Sequence, residues 1–179
     1  MAEASGWLWL RQAEADLAAA GRSFVSAEAS TYCQAIAKYQ QTIEKSVKAL
    51  AATLRDAGMA TIPIGFRHDV ETQVSMLLRL PRPRERRDIQ NIIHSLFDQT
   101  ARADIKALGR LAPKAPAPGQ PFQRNTEYPY QDAAGRWRVP ADSGSFTLPE
   151  CDRFKRLAHR ISEGTARIMS AVERANLHQ

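Results

Sequence analysis

Between Tyr128 and Arg138 the chain sets Tyr128, Tyr130 and Trp137 among Arg136 and Arg138. Aromatic faces interleaved with guanidinium groups are the composition that stacks single-stranded bases and neutralises their phosphates. The same rings serve equally to pin a loop onto a folded body. Upstream, His68 and Asp69 adjoin where a helix is expected to begin. An aspartate there caps the first turn, and the exposed N–H groups of that turn attract anions. Lys45 and Lys48 add cations to a helix that also carries Glu44. Glu44 and Lys48, at i and i+4, read as a pair on a solvated face.

Other chemistries lack their residues. The scattered glycines form neither G-x-G-x-x-G nor a Walker loop, and no G-x-S-x-G elbow is present. His68, His94, His159 and His178 show no ligand spacing with one another or with Cys33 and Cys151, so no metal site and no cofactor is expected. The two cysteines make no C-x-x-C pair and read as buried thiols of a reducing compartment.

Helices must position these groups. Trp7, Leu10, Ala13, Leu17, Ala20 and Phe24 recur by threes and fours, predicting a helix from Ser5, as its N-cap, to Phe24. Trp9 lies beside that stripe, placed to cover a neighbouring helix or a partner subunit. A second stripe, Ile36, Tyr39, Ile43, Val47, Leu50 and Leu54, predicts a long helix from Glu28 to about Ala57, with Gly58 as its stop. Val70, Val74, Leu77 and Leu78 mark a short third helix, started by Asp69 or His68 and ended by Pro81 and Pro83. Arg84 to Leu111 reads as one fourth helix, whose basic first turn opposes its dipole. Residues 112–149 form a Pro- and Gly-rich loop, in which Arg136 to Val139 is the only hint of a strand. A last helix carries Phe154, Leu157, Ile161, Ile168 and Val172. The expected fold is all-α, an up-and-down four- to five-helix bundle with a long Pro-rich loop before the last helix.

A chain of 179 residues with 44% hydrophobic content suits one domain over 1–179 and excludes wholesale disorder. Its net charge of +6 permits a phosphate-bearing partner without requiring one. No run approaches the apolar length of a membrane span, and the opening Met1–Gly6 carries Glu3 where a secretory signal carries base, so a cytoplasmic protein with no membrane partner is expected.

Four segments occur in a telling order: Gln12-Ala13-Glu14-Ala15-Asp16-Leu17, then Gln40-Gln41-Thr42-Ile43-Glu44-Lys45-Ser46-Val47-Lys48-Ala49-Leu50, then His68-Asp69-Val70, then Asn125-Thr126-Glu127-Tyr128-Pro129-Tyr130. Together they resemble the HEPN family of small all-α domains, in the branch that carries a Tyr-Pro motif ahead of its last helix. The resemblance covers roughly Trp7 to Val172. It implies a helical bundle, often a homodimer, that works beside a cognate protein such as a minimal nucleotidyltransferase or an antitoxin. It also implies two kinds of member: ribonuclease toxins marked by a closely spaced arginine and histidine, and non-catalytic members that bind nucleotide, RNA or a partner.

Arg87 and His94 are the pair here that matches the toxin spacing. At i and i+7 they share a helix face, with Arg87 suited to stabilise a phosphorane and His94 to take the 2′-hydroxyl proton. The bland alternative is a histidine that packs and hydrogen-bonds. His68, Asp69, Lys45, Lys48, Thr126, Tyr128 and Tyr130 are the candidate ligand-binding residues. Glu127 stands where the family has arginine and Tyr130 where it has aspartate, and Arg124 is the cation nearby that can replace the missing one. The leading expectation is a non-catalytic domain for nucleotide, RNA or a partner protein. A metal-independent ribonuclease toxin using Arg87 and His94 is the second reading, and a structural dimerisation or adaptor module the third.

Overall fold

The apolar stripes fold as helices in the computed structural model, which describes residues 5–25, 28–60, 69–80, 87–114, 116–142 and 144–176. The elements are α1 (Ser5–Val25), a 3-10 turn (Ala29–Thr31), α2 (Tyr32–Asp56), α3 (Val70–Leu78), α4 (Arg87–Leu96), α5 (Gln99–Gly109), β1 (Tyr130–Gln131), β2 (Trp137–Arg138) and α6 (Leu148–Asn176). The fold is all-α apart from the two-residue strands, which pair antiparallel with Tyr130 opposite Arg138 and Gln131 opposite Trp137.

The long helix α2 is central, packing against α1 and α6 and also touching α3 and α5. Its stripe of Ile36, Tyr39, Ile43, Val47, Leu50 and Leu54 is wholly buried, facing Phe154, Leu157, Ile161, Ile168 and Val172 of α6 across one core. The start of α1 lies almost on the α2 backbone. A Cβ at Gly6 would stand 2.2 Å from the Thr53 hydroxyl and 3.0 Å from the Ala49 carbonyl oxygen, so only glycine allows that approach.

Helix ends follow local chemistry. Gly58, at φ +64°, takes the left-handed position after α2, its N–H donating to Arg55 while the Met59 N–H donates to Leu54. The Asp69 side chain caps α3, accepting from the Thr72 N–H at 3.1 Å and from the Thr72 hydroxyl at 2.6 Å. At α6, Thr147 and Glu150 form a reciprocal capping box, and Pro149 sits in the first turn where its missing N–H costs nothing.

Four expectations change. Ser5 is the first residue of α1 rather than its cap, and its hydroxyl donates to Asp56 at 2.8 Å. The second helix starts at Tyr32, because the Thr31 N–H and hydroxyl both turn back to the Glu28 carbonyl as a 3-10 turn. The single helix expected over Arg84 to Leu111 is two helices. Asp98, extended at ψ 178°, caps α5 by accepting from the Ala101 N–H at 2.8 Å, while Arg160 of α6 donates to the Ser95 carbonyl at the end of α4 and to Asp98, both at 2.7 Å. The 112–149 loop ends at α6, which begins at Leu148, and contains the β1–β2 hairpin that was legible only as its second strand. The basic run Arg82, Arg84 and Arg86 lies outside the described residues. Among the described residues no helix is long and apolar enough to cross a membrane.

Candidate functional site

Glu44 and Lys48 of the second helix do not lie on a solvated face. Asp16 on α1 is buried and pairs with Lys45 and, at 3.2 Å, with Lys38, whose ammonium also donates to Gln41 at 2.9 Å. Glu44 and Lys48, read above as a surface pair, are buried and bonded at 2.7 Å. Trp9 explains this: its ring lies 5.0 Å from the Lys48 ammonium, so α1 covers the pair and the tryptophan serves a neighbouring helix. Buried charges persist only when paired in this manner.

The outer side of the same helix lines a cleft of about 1100 Å³. Ala37, Gln40, Gln41 and Lys45 of α2 form one wall, at i, i+3, i+4 and i+8 on a half-exposed face. The first turn of α3, from Asp69 to Thr72, forms a second, and Ile105, Leu108 and Gly109 of α5 a third. Pro113, Lys114 and Glu127 close it from the loop. The floor is apolar and the rim polar, the usual make-up of a small-ligand site. Asp69 is engaged as the α3 cap, Lys45 with Asp16, and Glu44 with Lys48. Glu71, Glu127 and Lys114 are exposed, with side chains that form no hydrogen bond or ion pair among the described residues. The cleft therefore offers two open carboxylates and one ammonium.

The candidate ligand residues separate into two groups. Lys45 and Asp69 reach the cleft; Lys48 faces the Trp9 side of α2, and His68 lies outside the described residues. Arg124 donates to both oxygens of Glu150 at 3.0 Å and to the Ser145 carbonyl, stacked 4.4 Å over the Phe146 ring. That bond fastens the loop to the start of α6, so Arg124 stands in a clasp rather than at the cleft. Thr126 is buried, its N–H donating to the Leu111 carbonyl at 3.2 Å. Tyr128 stacks on Phe122 at 4.9 Å between centroids, and Tyr130 is buried on β1. Asn125 holds this turn together, accepting from the N–H groups of Glu127 and Tyr128. Tyr130 is thus the ring that pins the loop, while Tyr128 stacks within it and Trp137 is 63% exposed on the hairpin. Asp132 braces that hairpin by accepting from Ala134 and Arg136, whose bonds hold its carboxyl below the usual range.

Arg87 is exposed and His94 half-buried on α4, two turns or about 10 Å apart along the axis, and neither lines the cleft. Among the described residues no group of histidine, cysteine and carboxylate side chains could hold a metal ion. Cys33 and Cys151 are buried free thiols, and burial pushes Cys151 up to about 12. Sequence reading missed Gln40, Glu71 and Lys114 as site residues. The recurrence of polar Gln40, Gln41 and Lys45 off the apolar stripe was the available signal for the α2 wall; the rest comes together only in the fold.

Against known proteins, the model of the HEPN domain family matches residues 7–105, which takes in most of α1, all of α2 to α4 and most of α5. No curated protein and no solved structure matches the chain.

Proposed function

The chain belongs to the HEPN domain family, and from that premise we propose that it is a non-catalytic domain that binds a nucleotide or RNA in the cleft between α2, α3, α5 and the loop. One observation carries the reading: segments far apart in sequence, Gln40 to Lys45, Asp69 and Glu127, line one cleft, while Arg87 and His94 stand outside it. The apolar floor suits a base. Glu71 and Glu127 suit its amino hydrogens, as carboxylates accept from exocyclic amines. Glu127 in place of the family's arginine then turns the cleft away from phosphate and toward the base itself. In the same reading the domain works beside a cognate protein and pairs with a second copy, which copurification and light scattering test directly.

The deciding experiment titrates purified protein with mononucleotides and with a labelled mixed-sequence RNA, and follows the RNA for cleavage. We expect saturable nucleotide binding, intact RNA, and affinity reduced roughly tenfold, as for one lost charge-assisted hydrogen bond, by Glu127→Ala or Glu71→Ala, both exposed positions. Absence of nucleotide binding, or binding untouched by both substitutions, overturns the proposal. Cleavage that disappears in His94→Ala replaces it with the ribonuclease reading.

A further inference from the structure

The face of α5 next to the cleft is basic along its whole length. Arg102, Lys106 and Arg110 stand at i, i+4 and i+8, each step about 6 Å along the axis, and all three are exposed. None forms an ion pair with a described carboxylate. The one acid of α5, Asp104, faces away to α6, where Arg153 Nε donates to it at 2.7 Å. The basic stripe therefore keeps its charge. Its position matters more than its sign: Arg102, Lys106 and Gly109, at i, i+4 and i+7, share a face, and Gly109 is part of the cleft wall. Lys114 continues the run of cations to the cleft rim.

We propose that the stripe and the cleft are one site for a single-stranded oligonucleotide: one base enters the cleft while the sugar–phosphate backbone runs along Arg102, Lys106 and Arg110. This deepens the nucleotide-binding reading and rests on it. The division of labour follows from the charges. Inside the cleft, the open carboxylates of Glu71 and Glu127 repel phosphate and accept from base amines; outside it, guanidinium and ammonium groups unopposed by acids attract a polyanion. A mononucleotide fills only the first half, so chain length and salt separate the two halves. The stripe lies largely beyond the cleft lining, and its residues are exposed, so reversing their charge leaves the core intact.

The test compares cytidine monophosphate with a fluorescein-labelled oligocytidylate of eight residues, by calorimetry and anisotropy at low and moderate salt. The proteins are wild type, the double variant Lys106→Glu with Arg110→Glu, and Arg167→Glu on the exposed face of α6 as a charge-reversal control away from the stripe. We expect the oligonucleotide to bind wild type at least tenfold more tightly than the monophosphate at low salt, with an affinity that falls by roughly 0.7 logarithmic units per phosphate contact for each tenfold rise in salt. The double variant loses that advantage and most of the salt dependence, yet binds the monophosphate unchanged; Arg167→Glu leaves both ligands as in wild type. Equal affinity for the two ligands in wild type, or an equal loss in Arg167→Glu, overturns the joint site while leaving the cleft reading standing. Failure of the monophosphate itself to bind removes both.

Discussion

Tyr39 is fully buried at the centre of α2, and its hydroxyl has no hydrogen-bond partner among the described residues. An unpaired buried hydroxyl costs on the order of 1–3 kcal/mol. Tyr39→Phe removes the group without leaving a void, so we expect unchanged stability or a gain of about 1 kcal/mol at neutral pH, read by thermal or urea unfolding. Burial also raises the Tyr39 hydroxyl well above its ordinary value and pushes the Cys151 thiol from 9.0 to about 12. Both groups hold their protons more tightly folded than unfolded. Their effect on stability is therefore absent below pH 9 and destabilising above it, by about 1.4 kcal/mol per pH unit for each group titrating in the unfolded chain. Cys151→Ala should flatten the alkaline limb from pH 9, and Tyr39→Phe only from pH 10. At this scale the sequence was legible where a residue answers to its neighbours. The Asp69 cap and the burial of Cys33 and Cys151 needed nothing remote. Lys48 was misread because Trp9, which covers it, lies on another helix, and Lys45 because its partner Asp16 does too.

The break between α4 and α5 shows how an element boundary hides inside a continuous pattern. Ile93, Leu96, Phe97, Ala101, Ile105 and Leu108 keep three- and four-residue spacing straight through it, so periodicity alone reads one helix. Asp98 supplies the stop and the start together, through its bond to the Ala101 N–H and its pairing with Arg160. The Arg160 guanidinium and the Ala101 N–H hold the Asp98 carboxyl below the usual range. The stability this gives is present above the ordinary carboxylate range and lost as pH falls through the lowered value. Asp98→Ala should cost about 1 kcal/mol at pH 7, whereas Asp98→Asn should keep most of the cap, a contrast that urea unfolding of the two variants resolves. The opposite error occurred at the hairpin. Strands of two residues carry no period to read, and β1 shows itself only through its pairing with β2.

Across the whole molecule, the bundle was legible from its stripes because α1, α2 and α6 bury the faces that the spacing assigns to them. The loop was legible only as an interruption, since prolines and glycines say where helices stop and not what the intervening chain packs against. Its attachment is the clasp of Arg124 on Glu150, which joins the loop to the same carboxylate that caps α6. Arg124→Ala should therefore loosen 116–142 more than the helices. We expect proteases to cut within the loop several-fold faster while the melting temperature moves little, as for a part-exposed pair worth about 1 kcal/mol. The two cysteines carry a practical consequence. Both are buried, their thiols held protonated, and the chain has no others. The native protein is accordingly silent to alkylating dyes. A single cysteine placed at exposed Ala133, in the hairpin turn, would be its only reactive handle, allowing a fluorophore to report on the surroundings of Trp137 with both native thiols left in place.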